Sequence, residues 1–181
     1  MNWERLYARA KRIRLLILDV DGVLTDGRMI LDSRGVLIKS FDVRDGFGLV
    51  LARKAGLKLA LMTAERSALV SRRAKQLQID WVAQFARDKA KAYRKCLAHF
   101  HVESEVACYV GDDLLDLPVL TQVGLSATVP SASPEIKRHV HYVTSAEGGR
   151  GAVREIVELI LKAQGRWEQI VQGYVRDEPV H

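Results

Sequence analysis

Two groups of aspartates in this sequence have the spacing of a metal and phosphate site. Asp19 and Asp21 directly follow a short apolar run, and an extended backbone would point both carboxylates the same way. Asp112, Asp113 and Asp116 follow another apolar run. Carboxylates that converge about 4 Å apart repel by roughly 1 kcal/mol in water and roughly 4 kcal/mol near a protein surface. Because Mg²⁺ prefers carboxylate, water and phosphate oxygens, we expect these groups to bind Mg²⁺.

The chain also offers groups that suit an anion beside these carboxylates. Thr63 ends a further apolar run and supplies a hydroxyl close to backbone N–H groups at a predicted helix start. Lys89 begins another predicted helix, where a cation gains nothing from the helix dipole, so a nearby negative charge explains it better. Each residue alone has a plainer explanation, as a cap, a turn residue or a solvated lysine. The ordered set indicates phosphoryl transfer through an aspartyl-phosphate.

The elements that must position these residues alternate between strand-like and helix-like runs. Apolar strands are predicted at residues 13–18, 57–62, 80–83, 106–110, 125–129 and 142–143. Helices are predicted at 45–55, 67–77, 88–100, 117–123 and 153–161, with an extension to 174 left open. This alternation predicts an α/β fold, a doubly wound, Rossmann-like parallel sheet with helices on both faces. Such sheets place chemistry at the carboxyl ends of their strands, where Asp19, Thr63 and Asp112 fall.

One segment interrupts the alternation. Two β-prone runs flank Asp32-Ser33-Arg34-Gly35, so residues 28–41 are predicted to form a β-hairpin between the first strand and the first helix. Five strand–helix steps of roughly 30 residues use about 150 residues, and a separate lid domain needs about 50 more. In a chain of 181 residues we therefore expect a single domain, residues 1–181, with a hairpin insertion, a C-terminal tail from about residue 148 and no separate cap domain.

Composition and charge argue against several other classes of protein. Lys and Arg number 28 against 22 Asp and Glu, but the cations are scattered and have no interleaved aromatic residues, so no nucleic-acid partner is expected. No apolar run reaches the roughly 18 residues of a membrane span, and the N-terminus lacks a secretory signal. We therefore expect no membrane partner and a cytoplasmic location. Cys96 and Cys108 are expected to be buried thiols.

The motif set resembles the haloacid dehalogenase superfamily of phosphatases. The resemblance is carried by Asp19-Val20-Asp21-Gly22-Val23-Leu24-Thr25, Thr63, Lys89 and Gly111-Asp112-Asp113-Leu114-Leu115-Asp116. Two longer strings, residues 41–48 and 148–155, are similar to the cap-less members that act on 3-deoxy-D-manno-octulosonate 8-phosphate, a sugar-acid phosphate of lipopolysaccharide synthesis. The resemblance extends over about residues 10–165.

The resemblance implies a role for each matching residue. Asp19 would be the nucleophile, and Asp21 the general acid for the leaving sugar alkoxide and then the base for water. Asp19, the backbone carbonyl of Asp21, and Asp112 would hold Mg²⁺. Thr63 and Lys89 would bind the transferring phosphoryl group.

The same resemblance implies supporting and substrate-binding residues. Those that would support the metal ligands are Asp113 and Asp116. Those that would contact substrate are Asp21, Asp42, Val43, Arg44, Asp45, Gly46, Arg73 and Lys89. Further candidates for substrate contact are Glu65, Arg66 and Arg150. The resemblance also implies a homotetramer, in which the hairpins pack together and a tail from Gly148 reaches a neighbour's active site.

Two positions depart from the family's pattern and leave the substrate open. The family usually has Arg where Glu65 stands, and an Arg of the first helix is replaced by Val50. A Glu at that position is more like relatives that act on nine-carbon keto-deoxy sugar acid 9-phosphates, whereas Arg44 and the tail around Arg150 favour the eight-carbon substrate. Outside this class, a phospho-signalling receiver domain also combines Asp, Thr and Lys around Mg²⁺, but the order of the motifs here fits hydrolysis better.

Overall fold

In a computed structural model, which describes residues 2–176, the chain folds around a six-stranded parallel sheet. The strand order is β5-β4-β1-β6-β7-β8, and each neighbouring pair is parallel. The strands of this sheet are β1 (Leu15–Leu18), β4 (Lys58–Met62), β5 (Trp81–Ala83), β6 (Ala107–Val110), β7 (Leu125–Thr128) and β8 (Tyr142–Val143). The predicted α/β class and all six predicted strands are confirmed.

Helices cover both faces of this sheet. They are α1 (Trp3–Lys11), α2 (Val43–Lys54), α3 (Ala68–Leu77), α4 (Lys89–Phe100), α5 (Leu117–Leu120), α6 (Pro134–Lys137), α7 (Ala152–Ala163) and α8 (Trp167–Val175). The short helices α1 and α6 were not predicted, and the open extension of the last helix is interrupted at Gly165, whose φ is +69°. Within residues 2–176, no helix combines the length and the apolar character that crossing a bilayer requires.

The core has two halves, one on each face of the sheet. Leu16 and Leu18 of β1 belong to the half covered by α1, α2, α3 and α7, whereas Leu15 and Ile17 belong to the half covered by α4, α5 and α6. Successive side chains of a strand point to opposite faces, so an uninterrupted apolar run is what a doubly covered strand requires. This burial fixes the sheet, and with it the positions at which its strands end.

The hairpin is present at the predicted place, between β1 and α2. Strands β2 (Ile30–Leu31) and β3 (Leu37–Ile38) pair antiparallel as a separate two-stranded sheet. Asp32 holds the turn, because its carboxylate accepts hydrogen bonds from the backbone N–H groups of Arg34 and Val36, at 2.9 and 2.8 Å. Most apolar residues of the hairpin are half exposed or more, and Leu31 is 62% exposed, whereas Leu37 is partly buried. The hairpin therefore leaves an apolar face uncovered in this chain.

The predicted C-terminal tail begins packed on its own chain, and its reach to a neighbour's active site stays a prediction. A side-chain Cβ at Gly148 would lie 1.7 Å from the Gly22 carbonyl oxygen, so the glycine packs directly on the loop after β1. Helix α7 then buries Val153, Ile156 and Ile160 in its own core, where it packs against α1 and α2. A helix with such an apolar face cannot leave without exposing it to water. Of the predicted tail, residues 177–181 lie outside the described residues.

Candidate active site

The carboxyl ends of three neighbouring strands bring the predicted residues together. Strand β1 lies between β4 and β6, so Asp19, Thr63 and Asp112, each just beyond a strand end, meet at one edge of the sheet. A cavity of about 290 Å³ opens there, which we call the carboxylate pocket. Its lining residues are Asp19, Asp21, Gly27, Thr63, Ala64, Glu65, Lys89, Asp112, Asp113, Leu115 and Asp116. Two larger cavities, of about 770 and 800 Å³, have no acidic residue in their described linings.

Lys89 lies at the floor of the carboxylate pocket. Its ammonium donates hydrogen bonds to Asp19 Oδ1 at 2.5 Å, to the Met62 carbonyl at 2.9 Å and to the Tyr109 hydroxyl at 3.1 Å, and it lies 3.0 Å from Asp116 Oδ1. Its side chain is 2% exposed, which excludes a solvated helix-end lysine. Burial acts to lower the pKa of Lys89, but Asp19 and Asp116 together raise that pKa above its usual value. The lysine therefore stays charged beside Asp19.

Asp116 supports the pocket from behind, as the sequence predicts. Its Oδ1 accepts a hydrogen bond from the Tyr109 hydroxyl at 2.5 Å, and its Oδ2 accepts from the backbone N–H groups of Asp112 and Asp113, at 3.0 and 3.2 Å. Tyr109, fully buried on β6, was not predicted as a site residue. The signal was a hydroxyl in an otherwise apolar strand that ends at Val110, two residues before Asp112. Because buried polar groups need partners, such a residue is worth pairing with the nearest predicted charge.

The geometry fits a divalent cation. Asp19, Asp112 and Asp116 each offer a carboxylate oxygen, and these three oxygens lie within 4.8 Å of one another. Since both oxygens of Asp116 already accept hydrogen bonds, Asp19 and Asp112 are the better ligands. Gly22, with a φ of +92°, has no side chain to obstruct Asp112, whose Oδ2 would lie 1.9 Å from a Cβ there. Oxygen donors of this kind are those that Mg²⁺ prefers.

The pKa values of Asp19 and Asp112 also indicate a cation site. Burial raises the pKa of Asp19 to about 7, and the nearby Asp116 adds to the rise while Lys89 opposes it. Burial also raises the pKa of Asp112 to about 7, with further contributions from Asp19 and Asp116. One lysine therefore does not compensate the negative charge of the pocket. A bound dication would, because it favours the ionised carboxylates.

Thr63 occupies the predicted place but not the predicted surroundings. It is buried, and its hydroxyl accepts a hydrogen bond from the Glu65 N–H at 3.2 Å. Helix α3 begins only at Ala68, so the N–H groups nearest in sequence to Thr63 belong to a loop rather than to the helix start. The loop and the hydroxyl remain suited to an anion, but the helix dipole is farther along the chain than expected.

Lys39, a residue of the hairpin segment, contacts the site although its sequence position does not predict it. Its ammonium lies 2.5 Å from Asp21 Oδ1 and 3.4 Å from Glu65 Oε2, and its side chain is 1% exposed. The one signal for Lys39 in the sequence is that it is a cation in a hairpin predicted to lie beside the site. A two-residue strand does not show which side chain turns inward, so the contact became visible only in the folded chain.

The predicted substrate residues form a second cluster around the start of α2. Asp42 accepts hydrogen bonds from the Arg44 and Asp45 backbone N–H groups, and its carboxylate lies 3.0 Å from the Arg44 guanidinium. This contact is the main cause that lowers the pKa of Asp42. The Arg44 guanidinium also donates to the Arg150 carbonyl at 3.0 Å. Arg73 donates to the Asp42 carbonyl at 3.4 Å and packs over Gly46.

This second cluster does not line the carboxylate pocket, and Asp45 has other partners. The Asp45 carboxylate is buried and accepts hydrogen bonds from the backbone N–H groups of Gly151 and Arg154, at 3.1 and 2.8 Å. In this position it ties the start of α7 to α2. Arg66 is exposed and lines a different cavity, whereas Glu65 lines the carboxylate pocket. The substrate contacts of residues 42–46, Arg66, Arg73 and Arg150 stay predictions.

Comparison with known proteins agrees with this geometry. Residues 52–156 match the haloacid dehalogenase-like hydrolase family. A 3-deoxy-D-manno-octulosonate 8-phosphate phosphatase of Yersinia pestis is 45% identical over 160 residues, which are 88% of this chain and 86% of that protein.

Two solved structures share the fold. The crystal structure of the phosphatase from Yersinia pestis has a TM-score of 0.89 and 44% sequence identity, and the match covers 91% of this chain and 89% of that one. The phosphatase of the same name from Moraxella catarrhalis has a TM-score of 0.93 and 38% identity over 96% of this chain and 99% of that one. That second structure contains a magnesium ion, a phosphate ion and the sugar acid KDO.

Proposed function

The chain belongs to the haloacid dehalogenase-like hydrolases, and on that basis we propose that it hydrolyses 3-deoxy-D-manno-octulosonate 8-phosphate. The reaction is a Mg²⁺-dependent phosphomonoester hydrolysis that yields KDO and inorganic phosphate, a step of lipopolysaccharide synthesis in the cytoplasm. The contact between Lys89 and Asp19 at the floor of an acidic pocket carries this proposal. It places a charged lysine and a nucleophile on the same side of the space that a phosphoryl group would fill.

Asp19 performs the first chemical step. Lys89 holds Asp19 Oδ1, and the other carboxylate oxygen would attack phosphorus and form an aspartyl-phosphate. The Lys89 ammonium and the Thr63 hydroxyl bind the phosphoryl oxygens and offset their charge. Mg²⁺, held by Asp19, Asp112 and the Asp21 carbonyl, would supply further positive charge and keep the two carboxylates ionised.

Asp21 performs the proton transfers. It lies at the mouth of the pocket, with a side chain that is 33% exposed, where the sugar part of a substrate would project. It protonates the leaving sugar oxygen in the first step and accepts the proton of the attacking water in the second. Asp113, whose carboxylate accepts a hydrogen bond from the Leu114 N–H at 2.7 Å, helps to hold the loop that carries Asp112.

A nine-carbon keto-deoxy sugar acid 9-phosphate is the second candidate substrate, and Glu65 is the observation that favours it. Glu65 lines the carboxylate pocket, and its carboxylate contacts Lys39, the same lysine that contacts Asp21. A carboxylate there accepts hydrogen bonds from sugar hydroxyls and repels a sugar carboxylate. The position of the substrate carboxylate relative to Glu65 therefore decides between the two sugars.

The test of the proposed function is phosphate release from a panel of sugar phosphates. The panel contains the eight-carbon and nine-carbon sugar-acid phosphates and glucose 6-phosphate, each assayed with Mg²⁺ and with EDTA. We expect the highest kcat/KM for the eight-carbon acid, and loss of that activity with EDTA. Higher kcat/KM for the nine-carbon acid would replace the first substrate by the second. Equal turnover of all three, or turnover unaffected by EDTA, would contradict the proposal.

We further propose that the active form is a homotetramer. The support is the hairpin, which exposes apolar residues, among them Met29, Ile30 and Leu31. Contact with another copy of the chain would remove this apolar surface from water and so stabilise the assembly. The carboxylate pocket has no lid of its own beyond this hairpin in the part of the chain that the structure describes. Neighbouring hairpins would then supply the cover that excludes water and selects substrate.

A further inference from the structure

Lys39 is a buried lysine that the hairpin brings to the mouth of the carboxylate pocket. It directly follows β3, and its ammonium lies 2.5 Å from Asp21 Oδ1 and 3.4 Å from Glu65 Oε2. Its side chain is only 1% exposed although its backbone reaches the surface, and lysine side chains that are buried in this way are nearly always paired. The two carboxylates therefore determine where this ammonium lies.

We propose that Lys39 is a positioning residue for Asp21, an inference that rests on the proposed function. Its hydrogen bond occupies Asp21 Oδ1, and we assign the proton transfer to the leaving group to Oδ2. Without the ammonium, Asp21 and Glu65 would be two carboxylates on the same side of the pocket with no cation between them. Repulsion and solvation would then turn the partly exposed Asp21 away from the substrate.

No other cation takes this place among the described residues. Lys89 contacts Asp19 and Asp116 at the floor of the pocket, and the exposed Arg66 lines a different cavity. The ammonium of Lys39 also sits opposite Glu65, the residue that stands where the family usually has Arg. A positive charge that is missing from the loop after β4 is thus supplied from the hairpin.

The orientation of Asp21 matters most when the leaving group is an alkoxide. As Asp19 forms its bond to phosphorus, the bond from phosphorus to the sugar oxygen breaks, its electron pair stays on that oxygen, and Asp21 Oδ2 donates a proton to it. In the second step, Asp21 accepts a proton from the water that attacks the aspartyl-phosphate, and Asp19 departs as a carboxylate. A misplacement of about 1 Å in such a transfer costs about 100-fold in rate.

A comparison of two substrates with different leaving groups therefore distinguishes a positioning role of Lys39 from a merely structural one. p-Nitrophenolate leaves without a proton, so the first step with p-nitrophenyl phosphate does not need an aligned acid. For Lys39→Met we expect kcat on the sugar-acid phosphate to fall about 10- to 100-fold while KM changes by less than about 3-fold. The rate constant of the p-nitrophenolate burst in a stopped-flow experiment should stay within about 3-fold of the wild type.

Three variants complete the experiment. Lys39→Arg keeps a cation and should recover part of the lost kcat. Lys11→Met removes an exposed lysine of α1 and should leave the rates on both substrates unchanged. Lys39→Gln replaces Lys39→Met if that variant does not fold. Equal losses on both substrates, or no loss on either, would overturn the positioning role. If the wild type does not hydrolyse the sugar-acid phosphate at all, the proposed function fails instead, and any alkyl phosphate that it hydrolyses serves for the same comparison.

Discussion

The carboxylate pocket and the hairpin are held in place by different means. Asp19, Thr63 and Lys89 are buried; the first two directly follow strands of the doubly covered sheet, and Lys89 begins helix α4, which packs on it. The hairpin pairs only with itself, in two strands of two residues, and exposes Ile30 and Leu31. The phosphate end of the site is therefore rigid within one chain. The hairpin, which contributes Lys39 to the mouth of the pocket, leaves apolar side chains exposed in this chain.

This difference has a functional consequence. Phosphoryl transfer has the same geometry for every substrate, so its residues benefit from a fixed scaffold. Substrate choice depends on groups that can differ between related proteins, and those are borne by loops and hairpins. Lys39 connects the two regions, because its backbone belongs to the hairpin segment and its ammonium contacts Asp21. Four predictions test how far the two regions are independent.

The largest expected effect is at the nucleophile. Asp19→Asn should lower kcat by about 10⁴-fold or more, because the amide cannot form the aspartyl-phosphate. Circular dichroism should show an unchanged fold, since the substitution removes a buried charge of raised pKa. Asp26→Asn, an exposed aspartate of the same loop, is the matched control and should keep its activity. Turnover of Asp19→Asn close to that of the wild type would exclude Asp19 as the nucleophile.

A charged residue on the apolar face of the hairpin should change both the oligomeric state and the kcat/KM for the sugar-acid phosphate. We expect Leu31→Glu to give smaller species in sedimentation velocity and to lower kcat/KM on the sugar-acid phosphate about 10-fold, because a buried unpaired carboxylate is costly. Ser33→Glu places the same charge in the exposed turn and serves as the control. A monomeric Leu31→Glu protein with full activity would show that the hairpin contributes nothing through neighbouring chains.

Removing the metal should destabilise the pocket in a pH-dependent way. Because the pKa values of Asp19 and Asp112 are raised to about 7, the folded chain without metal binds more protons than the unfolded chain between about pH 4 and 7. Their contribution to stability therefore falls as the pH rises through that range. Mg²⁺ binds the ionised carboxylates, so its stabilising effect should grow over the same range.

The measurement is thermal unfolding with EDTA and with Mg²⁺, at pH 5.5 and pH 8. Free Mg²⁺ at about 100 times its dissociation constant stabilises by about 2.7 kcal/mol, which is roughly 5–10 °C in Tm for a chain of this size. We expect that increase at pH 8 and a smaller one at pH 5.5, and Asp112→Asn should lose most of it. An equal increase at both pH values would contradict protonation of the metal ligands.

The smallest expected effect separates anchoring from substrate contact at Asp45. Asp45→Asn weakens two hydrogen bonds to the start of α7, so it should lower the free energy of unfolding by about 1–2 kcal/mol. If anchoring is its role, KM at 20 °C should stay near that of the wild type. Urea unfolding and steady-state kinetics measure the two quantities. A large rise of KM without loss of stability would restore the predicted substrate contact.

Site residues next to the longer strands could be predicted from the sequence, whereas those next to very short strands could not. Asp19, Thr63, Lys89 and Asp112 could be predicted as one site, because apolar runs mark parallel strands and the ends of neighbouring strands meet. Lys39 could not be predicted, because its hairpin strands are two residues long and carry no reliable alternation. Tyr109 was hidden in the same way, as a hydroxyl inside an apolar strand whose partner, Asp116, lies beyond the strand end.

The C-terminal segment shows a prediction that rests on resemblance alone. The sequence at residues 148–155 matches a family string, and the tail that this string implies was expected to reach another chain. In the folded chain, Gly148 packs on the loop after β1 and the start of α7 is tied to Asp45, while the reach of the tail to another chain stays a prediction. A helix with a buried apolar face stays with the core that covers it, whatever role a homologous segment has been given.

The sequence by itself determined the α/β class, the hairpin, the order of the motifs and the acidic chemistry of the pocket. These follow from apolar periodicity and from the types of residue at the strand ends, which are local properties of the chain. Only the tertiary structure decided that Lys39 contacts Asp21, that Asp45 anchors α7 and that Lys89 is shared by Asp19 and Asp116. Such contacts join residues 18 to 109 positions apart, and their distances are set by how whole helices and strands pack.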